Sequence, residues 1–344
     1  MRRTAKAIAA ILAVSAALLT GPAEADAPGD RGGGSRPQIW FNLTNYAMGQ
    51  GVAGPEGWRV LFADPNARWP DFMDHVDVLA AAAIQQVPDD LLAKAFAKLK
   101  EKCLAFAMES LAQSWVHEPV CGRGVETFYD PPGARIVATK IKAAGGRLDI
   151  VAMDEPMWWG RYYDGRDACH SSVDNVAERA AAIMHEYQAA FPDVAIGDIE
   201  PVPALTWKPN WRAEYAAFLD AFQAKTGKRI AFLQVDINWR QPNWQASLRD
   251  VVSFAQERHL PVGIIYNANM TPQVTSDQAW LASARQNVAQ IETGMGIVPD
   301  QAVFHSWDKF PQRSITDAAG PGEDVLVKVY LQRHARKDDR DQDH

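Results

Sequence analysis

Carboxylate side chains close several short apolar runs of the chain, at positions where pairs of acids can carry out proton transfer. Asp154 and Glu155 end one run, Glu200 ends the next, and Asp236 ends a third. Mutual repulsion within such a cluster raises the pKa of some members, so one acid can stay protonated while another is ionised. A pair of this kind can protonate a glycosidic oxygen and attack the sugar or activate a water. These four acids are therefore the candidate catalytic residues.

Aromatic and amide side chains lie close to these acids in the sequence. Trp and Tyr faces can stack on the apolar face of a pyranose ring, and Asn and His can bond its hydroxyl groups. The candidate substrate-binding residues are Trp40, Asn42, Glu109, Trp158, Trp159, Tyr163, Asn238, Trp239, Asn267, Asn269, His305 and Trp307. Core packing is an equally good interpretation of Trp40, and any single acid could instead cap a helix or pair with an arginine.

The spacing of the acids bears on how they would act together. Carboxylates on adjacent strands can approach to ~5 Å, which favours retention of configuration, whereas a pair separated by one strand lies ~7–9 Å apart and favours inversion. Asp154 and Glu155 are consecutive, so a regular strand would point only one of them inward unless a local bulge presents both. Period-two alternation places Asp236 and Asn238 on one face. The favoured pair is Glu200 with Asp154 or Glu155, assisted by Asp236.

Eight short apolar runs must position these side chains. They cover residues 38–42, 75–79, 103–109, 148–155, 194–200, 230–236, 262–267 and 302–307. Short runs that alternate with helix-period segments are typical of a parallel sheet buried on both faces. Polar residues at the carboxyl end of nearly every run match the way a (β/α)8 barrel presents its active site. The sequence predicts an α/β fold, a single (β/α)8 TIM barrel over residues 37–336.

The intervals between the runs predict the helices of this barrel. Helices are expected from Pro88 onward and over residues 131–144, 172–191, 211–226, 244–259, 277–293 and 323–334, whereas the Gly-, Pro- and Trp-rich segment 49–69 predicts a long irregular loop. A doubly wound open sheet is the alternative architecture. It would carry a Gly-rich phosphate loop after an early strand, but the Gly32-Gly-Gly-Ser segment precedes the first run.

The N-terminal residues have the pattern of a secretory signal peptide. Arg2, Arg3 and Lys6 precede an apolar stretch, and Ala23-Glu24-Ala25 supplies the small residues of a cleavage site. The apolar stretch is too short to span ~30 Å of hydrocarbon. We therefore predict a signal peptide over residues 1–25, a flexible linker over 26–36 and a disordered charged tail over 337–344.

The overall charge restricts the class of partner. The 344 residues carry a formal net charge of −7, and no stripe of Lys and Arg is present in the sequence. This acidity argues against nucleic acid or an anionic membrane surface as a partner. We expect a periplasmic or secreted monomer that binds carbohydrate, needs no cofactor and has no membrane span after removal of the signal peptide.

Three cysteines occur in this export context. Cys121 follows the third run and Cys169 follows the fourth, and the loops after neighbouring strands are adjacent in a barrel. A Cys121–Cys169 disulfide is therefore predicted, as is common in exported proteins. Cys103 opens the third run and is predicted to be a core residue.

The motif Asp154-Glu155-Pro156, together with the barrel pattern and the signal peptide, resembles secreted TIM-barrel glycoside hydrolases. In one large clan of these enzymes the strand-four acid/base is a Glu preceded by Asn and often followed by Pro, and Glu155 matches it with Asp154 in place of Asn. That clan's nucleophile is a Glu on strand seven, where this chain reads Tyr266-Asn267-Ala268-Asn269. The α-amylase-like barrels are similar in using an Asp on strand four and a Glu on strand five, which Asp154 and Glu200 match. The resemblance implies an exported glycoside hydrolase with paired carboxylates on strands four and five.

Two other functions fit parts of the same pattern. A metal-dependent sugar isomerase or hydrolase could use Glu109, Glu155, Glu200, Asp236 and His305 as ligands, although the histidines show no His-x-His spacing. A non-catalytic carbohydrate-binding barrel would keep the tryptophans and would not depend on the acids.

Overall fold

The computed structural model describes residues 36–45, 56–64, 66–117, 120–269, 273–316 and 321–341. The predicted signal peptide and nearly all of the predicted linker lie outside these ranges, as do residues 342–344 of the predicted tail. None of the helices within the ranges combines the length and the apolar character that crossing a bilayer requires.

A closed barrel of eight parallel strands forms the centre of the protein. The strands are β1 (Gln38–Asn45), β2 (Val78–Ala81), β3 (Ala105–Leu111), β4 (Ile150–Asp154), β5 (Ala195–Val202), β6 (Leu233–Ile237), β7 (Val262–Tyr266) and β8 (Gln301–Ser306). Each strand pairs with its neighbours in the sequence, and β1 pairs with β8 to close the ring. The predicted (β/α)8 barrel is confirmed, and each strand overlaps one of the eight predicted runs.

Helices surround the barrel. They are α1 (Glu56–Phe62), α2 (Asp89–Glu101), α3 (Pro131–Ala143), α4 (Val173–Ala190), α5 (Trp211–Thr226), α6 (Trp244–Glu257), α7 (Asp277–Ala289) and α8 (Glu323–Asp341). Each helix buries an apolar face. In α2, for example, Leu92, Phe96 and Leu99 recur at helical spacing and are all buried. Ser172 caps α4 by accepting a hydrogen bond from the Asn175 backbone N–H.

Three local predictions differ from the structure. The segment 49–69 contains α1, because Trp58, Leu61 and Phe62 lie at helical spacing and are buried in the core. α8 continues to Asp341, past the predicted end at residue 334, and so enters the segment for which disorder is predicted. Cys103 is exposed rather than buried, because it lies in the turn before β3 with a positive φ of 53°.

Two apolar clusters stabilise this architecture. The larger one lies between the strands and the helices, and the smaller one fills the barrel interior with side chains that include Trp40, Ala107, Ala152 and Ile199. Successive residues of a strand alternate between the two clusters. This alternation decides which strand-end side chains face the barrel mouth.

Candidate active site

A cavity of about 700 Å³ opens at the carboxyl ends of the strands. Five carboxylic acids line it, namely Glu109, Glu126, Asp154, Glu155 and Asp236, together with Tyr129, His305 and Trp307. We call it the acidic cavity. Its position is the one at which (β/α)8 barrels bind and transform their ligands.

Strand alternation brings three of these acids into the cavity. Ala107 and Ala152 belong to the interior cluster, so Glu109 and Asp154, each two residues further along the same strand, also point inward. Asp236 near the end of β6 lines the cavity, as the alternation predicted. Three different strands therefore contribute acids to one space.

Glu155 reaches the same cavity through an unusual backbone conformation. It follows the last residue of β4 with a positive φ of 48°, a region that non-glycine residues rarely occupy. This turn allows the consecutive residues Asp154 and Glu155 both to line the cavity. The Glu155 backbone N–H donates to the Ile199 carbonyl at 3.0 Å, which holds the turn against β5. Strained residues of this kind concentrate at functional sites.

His305 on β8 and Asn42 on β1 orient Glu109. The Glu109 Oε2 atom lies 3.4 Å from His305 Nδ1 and 3.5 Å from the Asn42 amide nitrogen. Both partners are almost fully buried. Asn42 therefore positions an acid of the cavity, whereas His305 itself lines the cavity.

The fifth acid, Glu126, comes from the long loop that follows β3. The neighbouring Thr127 fixes this loop, because its hydroxyl donates to the Asp154 carbonyl and its own carbonyl accepts the backbone N–H groups of Ala112 and Gln113. Glu126 remains exposed at the rim. The loop is thus fastened to the ends of both β3 and β4.

The predicted Cys121–Cys169 disulfide is confirmed, with a Cα–Cα distance of 5.1 Å. It joins the loop that carries Glu126 to the segment that follows Trp159 and Tyr163. The backbone N–H of Gly122 also donates to the Asp167 carbonyl at 2.7 Å. The two loops on the acidic side of the barrel mouth are therefore linked covalently.

Burial and mutual repulsion keep protons on these acids. Burial and the nearby Glu126 charge raise the pKa of Glu109 to about 7. Burial, with the charges of Glu109 and Glu126, likewise raises the pKa of Asp236 to about 7. The pKa values of Asp154 and Glu155 are raised well above the ordinary carboxyl range, first by burial and then by the surrounding acids. At neutral pH the cavity therefore holds both protonated and ionised carboxyls.

These shifts predict that the fold is more stable in mild acid than in weak base. Where a carboxyl has a higher pKa folded than unfolded, the folded state binds more protons between the two values, so stability falls as pH rises through that window. The window runs from about 4.5 to about 7 for Glu109 and from about 3.8 to about 7 for Asp236. We expect Tm to be roughly 3–6 °C higher at pH 5 than at pH 8.

Differential scanning calorimetry at the two pH values measures this difference. The D236N variant is the matched control, because removing one of the titrating acids should reduce the slope of Tm against pH. A Tm that rises from pH 5 to pH 8 would contradict the inferred repulsion among the acids.

Glu200, predicted to be catalytic, does not line the acidic cavity. Ile199 occupies the inward position on β5, so Asp198 and Glu200 face the helices and are fully buried. The Glu200 carboxylate accepts the backbone N–H groups of Met157 at 2.7 Å and Trp158 at 3.0 Å. It therefore caps the helical turn Trp158–Tyr162, and the pairing of acids on strands four and five is not what the structure presents.

This cap gives a prediction for E200Q. A glutamine can accept only one of the two N–H groups and points its own NH2 at the other, so the free energy of unfolding should fall by about 1–3 kcal/mol. The exposed acid Glu178 on α4 supplies the matched E178Q control. Thermal unfolding measures both variants. Loss of activity in E200Q with unchanged Tm would instead indicate a chemical role for Glu200.

A second cavity of about 340 Å³ adjoins the first. Five tryptophans line it: Trp158, Trp159, Trp207, Trp239 and Trp307. We call it the tryptophan cavity. It shares Glu126, Glu155, Asp236 and Trp307 with the acidic cavity, so the two form one cleft with these residues at the junction. Indole rings beside polar groups suit the faces and hydroxyls of sugar rings.

Several predicted substrate-binding residues have structural roles instead. Trp40 lies in the barrel interior, 1% exposed, with its ring 5.3 Å from Phe232. β1 points Trp40 into the barrel two residues before Asn42, so its ring forms part of the core beneath the cavity. Tyr163 packs on Trp159 at 4.8 Å and is not among the residues that line either cavity.

The predicted asparagines divide in the same way. Asn238 is exposed and lines the tryptophan cavity. Asn267 also lines it, but its Oδ1 already accepts from Ala268 N and from Trp280 Nε1, so its side chain braces the loop after β7. Asn269 lines neither cavity, and its backbone N–H donates to Ser283.

Among the cleft residues that sequence reasoning missed are Glu126, Tyr129, Trp207 and Arg240. All four lie in loops outside the eight apolar runs. The predicted disulfide could have indicated that Glu126 belongs to the site. Glu126 follows Cys121 by five residues, so a bridge to the loop after β4 already places it near Asp154 and Glu155.

No protein-family model and no curated protein matches the chain. Among solved structures, the chain is similar to xylanase 10B from Thermotoga maritima, at a TM-score of 0.48 and 14% identity over 87% of this chain and 96% of that one. It is also similar to a GH53 catalytic domain from Ignisphaera aggregans, at a TM-score of 0.47 and 8% identity over 84% and 95% of the two chains.

A putative phosphonomutase from Burkholderia cenocepacia is similar too, at a TM-score of 0.38 and 14% identity over 90% of this chain and 94% of that one. Glycoside hydrolases recur among these structures. The barrel itself is established by the strand pairing within the chain.

Proposed function

We propose that the protein is an exported glycoside hydrolase that cleaves an oligo- or polysaccharide at the junction of the acidic and tryptophan cavities. The observation that carries this proposal is the position of Glu155 and Asp236, each of which lines both cavities. A chain of sugars lying along the cleft would place a glycosidic bond beside these two acids. Within the described ranges, neither carboxylate has a hydrogen-bond or salt-bridge partner that would occupy it.

Glu155 is proposed as the general acid. Burial and four surrounding acids raise its pKa well above the ordinary range, which favours the protonated form that a general acid needs. It would give this proton to the glycosidic oxygen as the bond from that oxygen to the anomeric carbon breaks. The rare backbone conformation at this residue fixes the direction of its side chain.

Asp236 is proposed as the general base. Its pKa of about 7 leaves a substantial ionised fraction at neutral pH. It would take a proton from the attacking water, whose oxygen then bonds to the anomeric carbon. Glu155 follows β4 and Asp236 lies on β6, so β5 separates them. Acids so placed are ~7–9 Å apart and leave room for the water, which favours inversion of configuration.

Export remains part of this proposal. The predicted signal peptide points to the periplasm or the medium, and the Cys121–Cys169 disulfide supports an oxidising compartment. We propose a monomer that acts on carbohydrate and not on nucleic acid.

A screen of oligo- and polysaccharides with the purified protein tests the function. Release of reducing ends by the unmodified protein, and none by the E155Q/D236N double variant, is the expected result. Binding of a saccharide without any cleavage would identify a non-catalytic carbohydrate-binding barrel instead.

A further inference from the structure

We propose that the substrate is an amino-sugar saccharide with free amines, and that the ring in the acidic cavity is one that carries an ammonium group. This inference rests on the proposed hydrolase function and specifies its substrate class. It comes from the charge balance of the acidic cavity, from the unpartnered acids within it, and from the contrast with the tryptophan cavity.

The acidic cavity holds more acids than the proposed reaction uses. Five carboxyls line it, and no Lys or Arg is among its described lining residues. Hydrolysis assigns roles to Glu155 and Asp236 only, which leaves Glu109, Glu126 and Asp154. Collecting like charges in a partly buried space is unfavourable unless a cation or protons offset them.

Two adjacent acids of the cavity, Asp154 and Glu155, also lack donors. Glu155 is 8% exposed and lines the cavity, yet its carboxylate has no hydrogen-bond or salt-bridge partner within the described part of the chain. The side chain of Asp154, which is half-buried, also lines the cavity and has no hydrogen-bond or salt-bridge partner in those ranges. An ammonium group supplies three donors and a positive charge. A hydroxyl group supplies one donor and leaves the repulsion unchanged.

The tryptophan cavity has the opposite electrostatic character away from the junction. Arg240 lines it, and the Lys208 ammonium lies 5.7 Å from the Trp158 ring. These protein cations would repel a sugar ammonium group bound in the tryptophan cavity. The cleft therefore favours a charged amino-sugar ring in the acidic cavity and an uncharged ring, such as an N-acetylated one, on the tryptophans.

Rival substrates fit this distribution less well. A uronate or a sulfated sugar would place an additional negative charge among five acids, which costs rather than gains electrostatic free energy. A neutral glucan would satisfy the tryptophan cavity and would leave Glu126 and Asp154 without a counter-charge. A chain of amino sugars with free amines therefore fits the cleft better than these alternatives.

Hydrolysis of three oligosaccharide sets of equal length tests the inference: glucosamine oligomers, their fully N-acetylated counterparts, and cello-oligosaccharides. We expect kcat/KM to be about tenfold or more higher for the glucosamine oligomers at low ionic strength, and this advantage to shrink as salt is added. Partially acetylated chains should be cut so that one of the two new ends always carries the free amine.

The E126Q variant tests the contribution of a rim acid. We expect KM for glucosamine oligomers to rise by about three- to tenfold with a smaller change in kcat, whereas E178Q on the outer face of α4 should change neither. Equal or better hydrolysis of the neutral or N-acetylated oligomers would overturn the inference and leave the hydrolase function standing. Absence of cleavage in every set would also overturn the inference, and the broader saccharide screen described above then decides the hydrolase function separately.

Discussion

Replacing Glu155 with glutamine is expected to lower kcat on a natural glycosidic bond by about 10²–10⁴-fold, the usual contribution of a general acid. The amide keeps the size of the side chain and cannot protonate the leaving oxygen. The deficit should become much smaller on an aryl glycoside with an activated leaving group, because that leaving group departs without a proton. Steady-state kinetics on the two substrate types measures both effects.

The same variant should be at least as stable as the unmodified protein. Glu155 is surrounded by Asp154, Asp236, Glu200 and Glu126, whose charges raise its pKa, so removing its ionisable group relieves repulsion. Unfolding followed by circular dichroism provides the control. An inactive E155Q variant that is also strongly destabilised would indicate that the loss comes from misfolding. An equal deficit on both substrate types would remove the general-acid role.

Replacing Asp236 with asparagine is expected to lower kcat by about 10³–10⁴-fold on natural and activated substrates alike. Attack of water on the anomeric carbon depends on this carboxylate whatever the leaving group is. The two variants should therefore differ in their response to the leaving group, although they remove acids from the same junction. Asp236 does not cap a helix or carry an ion pair within the described ranges, so Tm should be maintained or raised.

E200Q separates this chemistry from a general effect of removing buried acids. In the unmodified protein the Glu200 carboxylate accepts two backbone N–H groups and lies outside the cavity. Its replacement should therefore affect mainly the stability of the fold. A D236N variant that keeps more than a tenth of the original kcat on both substrates would remove Asp236 from the mechanism.

The barrel could be predicted from the sequence because it depends on a repeated pattern. Eight short apolar runs, each followed by a helix-period segment, specify strands and helices in alternation, and the strand ends then meet at one rim. The Cys121–Cys169 bridge followed from this topology, since consecutive strands place their loops side by side. The same topology brings Glu109, Asp154, Asp236 and His305 to the cavity at the strand ends.

The choice between neighbouring residues at a strand end could not be predicted. On β5, Asp198 and Glu200 share one face and Ile199 lies on the other, and the sequence does not show which face lines the barrel. Ile199 proves to face the interior, so Glu200 faces the helices. The positive φ of Glu155 has no sequence signal, because non-glycine residues seldom adopt it. Glu126 lies in a loop, whose path depends on contacts such as those of Thr127 that only the folded chain shows.

The configuration of the first-formed product tests the central claim most directly. Glu155 and Asp236 on either side of β5 require a water between them, so proton NMR during early hydrolysis should show the reducing end appearing with the anomeric configuration opposite to that of the substrate. A product that first appears with the substrate's own configuration would contradict this pairing, because it requires two acids close enough for one to bond to the sugar.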